Sequence, residues 1–443
     1  MDETFINKIK SAAVVGAGGA GFPTSFKLNA KPEYIIVNGV ECEPLIQVDQ
    51  QLAALYAPAL IKTLDIIKSN LNAKYAVFAI KEKYHKAFES LNKEVSKYQN
   101  ITVKTLPNAY PMGDEQTLVY ETIARIVPEG GIPLNVGAVV VNTETLLNIG
   151  NALDDKPVTE KYITVNGDVK NPKTFKVPIG ISFRELIEEA GGATVSDPVL
   201  IDGGPLMGKV QRNLDASVIK TSKAIIVLSA NHPLIIAKER PISSMLKIAK
   251  TACCHCMLCT EVCPRMMLGH KLRPDKLMRL ASYNSTCEKD AAATEAFLCC
   301  ECRLCEYGCI MQLQPWKLHQ ELKKRLSQAG IKNPHHNVPE KVNQFREFRR
   351  YPTEKLVRQL GIAKYYHNDA PLSEYKKEIS KVVLSMRQSF GAPCEPIIAA
   401  GEKVKIGDKI AAVPNGALGA DIYASIDGTI SKADKNVIII ERG

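Results

Sequence analysis

Eight of the thirteen cysteines lie in two copies of one spacing, Cys-x2-Cys-x2-Cys-x3-Cys, as Cys253, Cys256, Cys259, Cys263 and as Cys299, Cys302, Cys305, Cys309. A [4Fe-4S] cube needs four thiolates converging from short loops. Two-residue gaps let three successive cysteines curl around one cube while the fourth reaches the neighbouring one. The spacing therefore assigns one cluster to Cys253, Cys256, Cys259 and Cys309, and the other to Cys299, Cys302, Cys305 and Cys263. Zinc is the competing reading, since paired CxxC motifs also supply four thiolates, but zinc has no use for the third cysteine in each tight run. Pro264 follows the first run, and Ile310 stands in the matching place after the second. Cys254 and Cys300 adjoin the first ligand of each run, and the x2 spacing selects Cys253 and Cys299. His255 reads either as a hydrogen-bond donor to a cluster or as a solvated loop residue.

Between the runs, LRPDKLMRLAS and DAAATEAFL are helix-compatible, so helices are expected to flank the clusters. The chain around them is of ordinary globular composition, 45% hydrophobic and 23% charged over 443 residues, which suits roughly two to four domains with cores of their own. The start, MDETFINKIKSAAVV, has no apolar stretch of signal-peptide type, and no run approaches the length of a membrane span. A cytoplasmic protein is expected, in a compartment that keeps thiols reduced, and not an integral membrane protein. A net charge of +10 can steer an acidic or phosphate-bearing partner, but no nucleic-acid motif accompanies it and none is expected as a partner.

A second chemical signal is VVGAGGAGFPTSFKLN, residues 14–29. Gly16, Gly18 and Gly21 satisfy GxGxxG, with Glu41 and Glu43 about twenty residues on, as in a dinucleotide fingerprint. The geometry is wrong for one: Pro23 and Pro32 leave eight positions, 24 to 31, before the strand-like YIIVN, too few for a crossover helix. Closely spaced glycines let backbone N–H groups approach an anion, and Lys27 can add a point charge, so a phosphate-cradling loop of another kind fits, beside the plainer reading of a tight turn. Around it the pattern is α/β. YAVFAIK at 75–81 reads as a buried strand, residues 50–70 as one amphipathic helix and 115–126 as another, in three-layer packing.

The run GAGGAGFPTSFK resembles the flavin loop of the FMN-binding subunit of respiratory complex I. NGVECEP, YPMGDEQ and VVVNTETL resemble that subunit's later segments, in the same order. The resemblance implies that Gly16, Gly18, Gly19 and Lys27 hold the FMN phosphate and ring, and that Asn38, Glu41, Tyr110, Gly113, Asp114, Glu115, Asn142 and Thr145 complete the pocket. It places Phe22 and Glu43 where the family stacks and hydrogen-bonds NADH, which makes Glu43 the candidate catalytic residue. The family's arginine in the glycine loop is Ala17 here.

From residue 158 the texture changes to short strands around one helix, SFRELIEEAGG, with Ser182 and Glu185 as a capping box and Gly191 as its end. This pattern, with DGGPLMGK, resembles the ligand-binding β-grasp (SLBB) domain that follows the flavin domain in complex I relatives. Residues 315–365 are basic, and Arg346, Arg349 and Arg350 read as a docking face or a solvated helix face. The last fifty or so residues resemble a barrel-sandwich hybrid without a modifiable lysine in its hairpin. The expectation is a multidomain α/β and α+β chain: FMN/NADH domain 1–155, SLBB-type β-grasp 156–235, helical ferredoxin-like domain with two [4Fe-4S] clusters 236–330, basic helical linker 331–388 and barrel-sandwich hybrid 389–443. That order resembles the cobalamin reductases of propanediol-utilisation microcompartments. It implies electron transfer from NADH to cobalamin, with a corrinoid adenosyltransferase and microcompartment proteins as partners and a place in the cytoplasm inside a microcompartment. The same modules in another order resemble the RnfC component of the Rnf electron-transport complex, which leaves a docking electron-transfer protein as the alternative.

Overall fold

The computed structural model describes residues 3–282 and 292–442. Its first sheet is parallel, in the order Ile101–Leu106, Tyr75–Lys81, Tyr34–Gly39, Ala138–Asn142. Strand alternation feeds two cores. Ile35, Val37, Phe78, Ile80, Val139 and Val141 point into one with the helices Ala57–Asn70 and Thr143–Leu153, while Ile36, Ala79 and Val140 point into the other with Leu118 and Val119 of the helix Glu115–Ile123. This is the expected three-layer packing. The single helix expected over 50–70 is instead two, Val48–Leu55 and Ala57–Asn70, broken at Tyr56. Pro58 explains the break, because it has no N–H for the preceding turn and is tolerated only in the first turn of a new helix.

The second sheet runs Leu372–Glu374, Lys173–Pro178, Glu160–Gly167, Ala224–Ser229, Pro198–Asp202, Lys209–Gln211. The helix Phe183–Glu189 packs on it through Phe183, Leu186 and Ile187, with the Ser182–Glu185 capping box in place and Gly191 in the left-handed region at its end. The outer strand Leu372–Glu374 comes from the segment read as a linker, which thus supplies an edge to the β-grasp.

Helices Ile242–Ala252, Pro274–Ser282 and Pro315–Gln328 surround the two cysteine runs. Of the second helix-compatible stretch, Ala293–Leu298 forms a 3-10 helix, and its beginning lies outside the described residues. The chain then returns to the flavin-type domain, where Tyr351–Pro352 pairs with Ala109–Tyr110. The C-terminal strands form two small sheets, starting at Lys381–Ser385 rather than at 389. Their core is continuous with that of the first domain, and Tyr423 packs with Ala13 and Val15.

Candidate functional site

The parallel sheet reverses direction of winding between Tyr34–Gly39 and Ala138–Asn142, and an open α/β sheet binds ligands beyond the carboxyl ends of its strands at such a switch point. The residues that stand there are Asn38 and Asn142, paired in register. The glycine loop lies over them: a Cβ on Gly18 would stand 3.5 Å from the Asn142 side chain. Gly19 has φ +115 and open space on its side-chain face, so only glycine suits it. The loop is braced from below, where Ala17 N donates to Thr145 Oγ1 at 2.8 Å and Lys161 Nζ to Ala17 O at 3.3 Å. Ala17 is thereby buried in the brace. Among the described residues no acceptor faces the amides of Gly18, Gly19 and Ala20, and Lys27 stands on the following short helix, Thr24–Leu28. Free amides on a glycine-rich loop suit a phosphate.

Other expected residues collect around the same crevice. Asn38 Nδ2 donates to Gly113 O at 2.9 Å, and Lys27 Nζ pairs with Glu115 Oε1 at 2.6 Å. Glu41, in the left-handed region at φ +43, gives one carboxylate oxygen to the amides of Val48 and Asp49 at 2.8 and 2.9 Å. Its other oxygen is buried with no partner. Burial, and then the charge of Asp49, raise Glu41 to about 7. Behind Asn142 lies a buried ionic group that the sequence did not reveal, in which Lys223 meets Asp49 at 2.6 Å and Lys161 is paired with Glu144.

Two expected residues are held by other domains. The Glu43 carboxylate accepts the amides of Leu206 and Met207 at 2.9 and 2.7 Å, in the β-grasp loop DGGPLMGK. Gly204 is required there, since a Cβ would stand 2.2 Å from Glu43 Oε2. Burial raises the Glu43 carboxyl, and those two amides oppose the shift. Phe22 meets Phe390 of the C-terminal module with ring centroids 5.9 Å apart, and Phe390 N donates to Gly21 O at 2.9 Å.

The two cysteine runs repeat each other in backbone as well as spacing. His255 and Glu301 have φ of 55 and 57, and Met257 and Arg303 both have φ of 64, so each run curls through the same left-handed turns. Cys263, Cys299, Cys302 and Cys305 line one cavity, and Cys300 lines it with them. Burial pushes Cys259 up to about 12 and also raises Cys309. The thiols that add to these shifts are Cys309 and Cys253 for Cys259, and Cys256 and Cys253 for Cys309. Cys259 of the first run also acts on Cys305 of the second, so the two runs lie side by side. Among the described residues no three His, Cys, Asp or Glu side chains are set to hold a single metal ion. A four-thiolate set of this donor chemistry suits a cube. His255 Nδ1 lies 3.7 Å from Cys253 Sγ.

The set with Cys263 is the deeper one. Cys263, Cys302 and Cys305 are buried, whereas Cys256 is exposed and Cys253, Cys259 and Cys309 are half-buried. It also touches the flavin-type domain. Tyr110 OH donates to Cys302 O at 2.8 Å, Arg265 makes two 2.8 Å bonds to Asp114, and Tyr351 OH donates to Tyr307 O at 2.9 Å. Asp114 meanwhile caps the helix Glu115–Ile123 through Thr117 N.

Family models match in the same order: a Nuo51 FMN-binding domain over 9–151, an SLBB domain over 162–210, a 4Fe-4S dicluster domain over 252–314 and an RnfC barrel-sandwich hybrid domain over 359–442. The chain is 39% identical to the cobalamin reductase PduS of Citrobacter freundii, over 100% of this chain and 97% of the relative. It belongs to the PduS cobalamin reductase family. The PduS of Salmonella typhimurium strain LT2 is likewise 39% identical, over 98% of this chain and 96% of that one. A component of a Na(+)-translocating ferredoxin:NAD(+) oxidoreductase complex, from Acetobacterium woodii, is 31% identical over 60% of this chain and 58% of its own. This PduS-family chain therefore carries FMN-binding and iron-sulfur domains. Among its described residues no helix is long and apolar enough to cross a membrane.

The residues missed by sequence reasoning are partners rather than ligands. Arg346, Arg349 and Arg350, read as a docking or solvated face, pair internally with Glu121 and Glu261. Opposite charges this far apart in sequence leave no local signal.

Proposed function

We propose that the chain is a flavin iron-sulfur oxidoreductase that takes electrons from NADH and delivers them to a corrinoid, for reactivation of B12-dependent enzymes. The observation that carries this reading is the seating of the cysteine runs against the flavin-type domain, with Tyr110 bonded to the Cys302 carbonyl and Asp114 to Arg265, while Cys256 of the first run is exposed. When bound, FMN supplies the conversion of a hydride pair into single electrons and each [4Fe-4S] cluster carries one electron at a time, as a corrinoid requires.

The chain's own residues account for the rest. Gly18, Gly19 and Lys27 would bind the FMN phosphate, while Asn38, Gly113 and Asn142 fix the floor of the crevice. Glu41 would meet the flavin with its unpartnered oxygen, in a carboxyl that burial raises to about 7. Phe22 would face the nicotinamide, with Phe390 shielding it. Glu43 acts in this reading as a positioning residue, joining the flavin-type and β-grasp domains. The Tyr110 and Arg265 contacts hold the buried set at a fixed place beside the crevice. Transfer to an adenosyltransferase within a microcompartment would follow from exposure of the outer set.

The test is the purified, anaerobic holoprotein with NADH and cobalamin. A Cys305→Ala variant is expected to bleach its flavin with NADH at the parental rate and to lose cobalamin reduction. Cobalamin reduction at the parental rate in that variant would make the flavin the direct donor. No reduction by the parental protein alone would point to a protein that only docks to another redox partner.

A further inference from the structure

The cavity lined by Cys263, Cys299, Cys300, Cys302 and Cys305 has polar walls besides the thiols, Arg265 and Arg303 among them. His319, on the helix Pro315–Gln328, lines the same cavity and is 1% exposed. Neither of its ring nitrogens has a hydrogen-bond partner among the described residues. A buried polar group left unpaired costs about 1–3 kcal/mol, so a side chain with two such atoms needs a reason to be where it is. The helix face is fixed. One turn on, Lys323 Nζ donates to Cys299 O at 2.6 Å, and residues four apart share a face. His319 is thus turned toward the second cysteine run by a bond to that run's first residue.

A cluster held by these thiolates would be rich in sulfur, and sulfur ligands accept hydrogen bonds. The site already uses one: Glu301 N donates to Cys299 Sγ at 3.3 Å. A neutral imidazole presents one N–H donor. We infer that His319 donates a ring N–H to a sulfur atom of the cluster held by Cys263, Cys299, Cys302 and Cys305, and so raises that cluster's reduction potential. Donation withdraws charge from the sulfur and favours the more negative, reduced state, and hydrogen bonds to sulfur are among the levers that set cluster potentials. His255, beside the outer set, stands in a half-exposed run and has no such buried counterpart. The asymmetry would place the buried cluster above the potential it would have without the bond.

The inference rests on the two-cluster reading, and the experiment separates the two. Anaerobic full-length protein is compared with His319→Leu, which has no donor, and His319→Gln, which keeps one. Iron and acid-labile sulfide are counted, and redox titrations are followed by EPR. With parental iron, His319→Leu is expected to shift one cluster to a more negative potential by a tenfold change in its reduction equilibrium, about 59 mV for a one-electron couple, while the other cluster stays put. His319→Gln is expected to remain nearer the parental value. Unchanged potentials in a fully loaded leucine variant, or equal shifts in both variants, would overturn the role. If the leucine variant loses iron, His319→Met, a donor-free side chain of closer volume, takes its place: a potential more negative than the parental one upholds the donor, and an unchanged one refutes it. About four irons per chain in the parental protein would remove the cluster itself, and the inference with it.

Discussion

The contact between Arg265 and Asp114 should be the strongest single tie between the cluster and flavin-type domains. Its two bonds are 2.8 Å each, and the side chains are 10% and 13% exposed. Removing one member of a buried pair leaves the other charge uncompensated, at a cost of about 3–5 kcal/mol. Asp114→Asn retains an oxygen for Thr117 N, so the helix cap survives and the change reports on the pair. Asp114→Ala should cost about 1 kcal/mol more, the worth of a cap. Arg265→Met keeps much of the packing stem and removes the guanidinium. Each single variant is expected to lower the opening free energy of the helix Glu115–Ile123 by about 3 kcal/mol, and the double variant by about 2 kcal/mol less than the sum. Native-state hydrogen exchange at Leu118 and Val119 measures this locally, which matters because a multidomain chain need not unfold in one step. Effects that add to within about 0.5 kcal/mol would refute the pairing argument.

Cys263→Ser should reduce iron from about eight to about four per chain and spare the cluster of the first run; loss of the first-run signal instead would refute the crossed ligation. Lys27→Ala should weaken FMN binding by about 10–100-fold, a charge-assisted hydrogen bond, while thermal stability changes little because the Lys27–Glu115 pair is part-exposed. Unchanged flavin occupancy would remove Lys27 from the site. Glu41 is raised above its ordinary value, so the folded state holds the extra proton and the group's contribution to stability falls as pH rises from about 4.5 to about 7. Glu41→Gln should therefore gain on the parental protein across that window in flavin-free urea titrations, by at most about 3 kcal/mol, and a pH-independent difference would contradict it. Ending the chain before Lys381 should lower flavin retention and expose the face around Val15; a truncated protein with parental flavin content would make the C-terminal module a docking unit alone.

What is legible in the sequence is local or periodic. The cysteine spacing already marks the 4Fe-4S domain, because ligand geometry is written in short loops. Alternation in YAVFAIK and YIIVN marks the strands, and Ser182 with Glu185 marks a cap. Pro58 is the visible sign that residues 50–70 break, outweighed by the apolar period on both sides. Glu43 and the β-grasp glycines are each visible and cannot be joined, since the carboxylate and its amide donors lie far apart in the chain and neither alone predicts the other. His319 gives no signal: in WKLHQEL it sits at a helix position that reads as ordinary, and only the cavity shows what it faces.

The strand Tyr351–Pro352 and the loop at Phe390 have a consequence for how the molecule matures. Both complete parts of the first domain, yet they leave the ribosome after the cysteine runs, and domains form from the N-terminus as the chain is made. A nascent chain stopped at residue 330 is expected to bind FMN weakly even with its glycine loop, Asn38 and Asn142 in place, and tight binding by such a chain would contradict this order. On this view the domain translated first is the last to be finished, and flavin insertion becomes a checkpoint that only a full-length product passes.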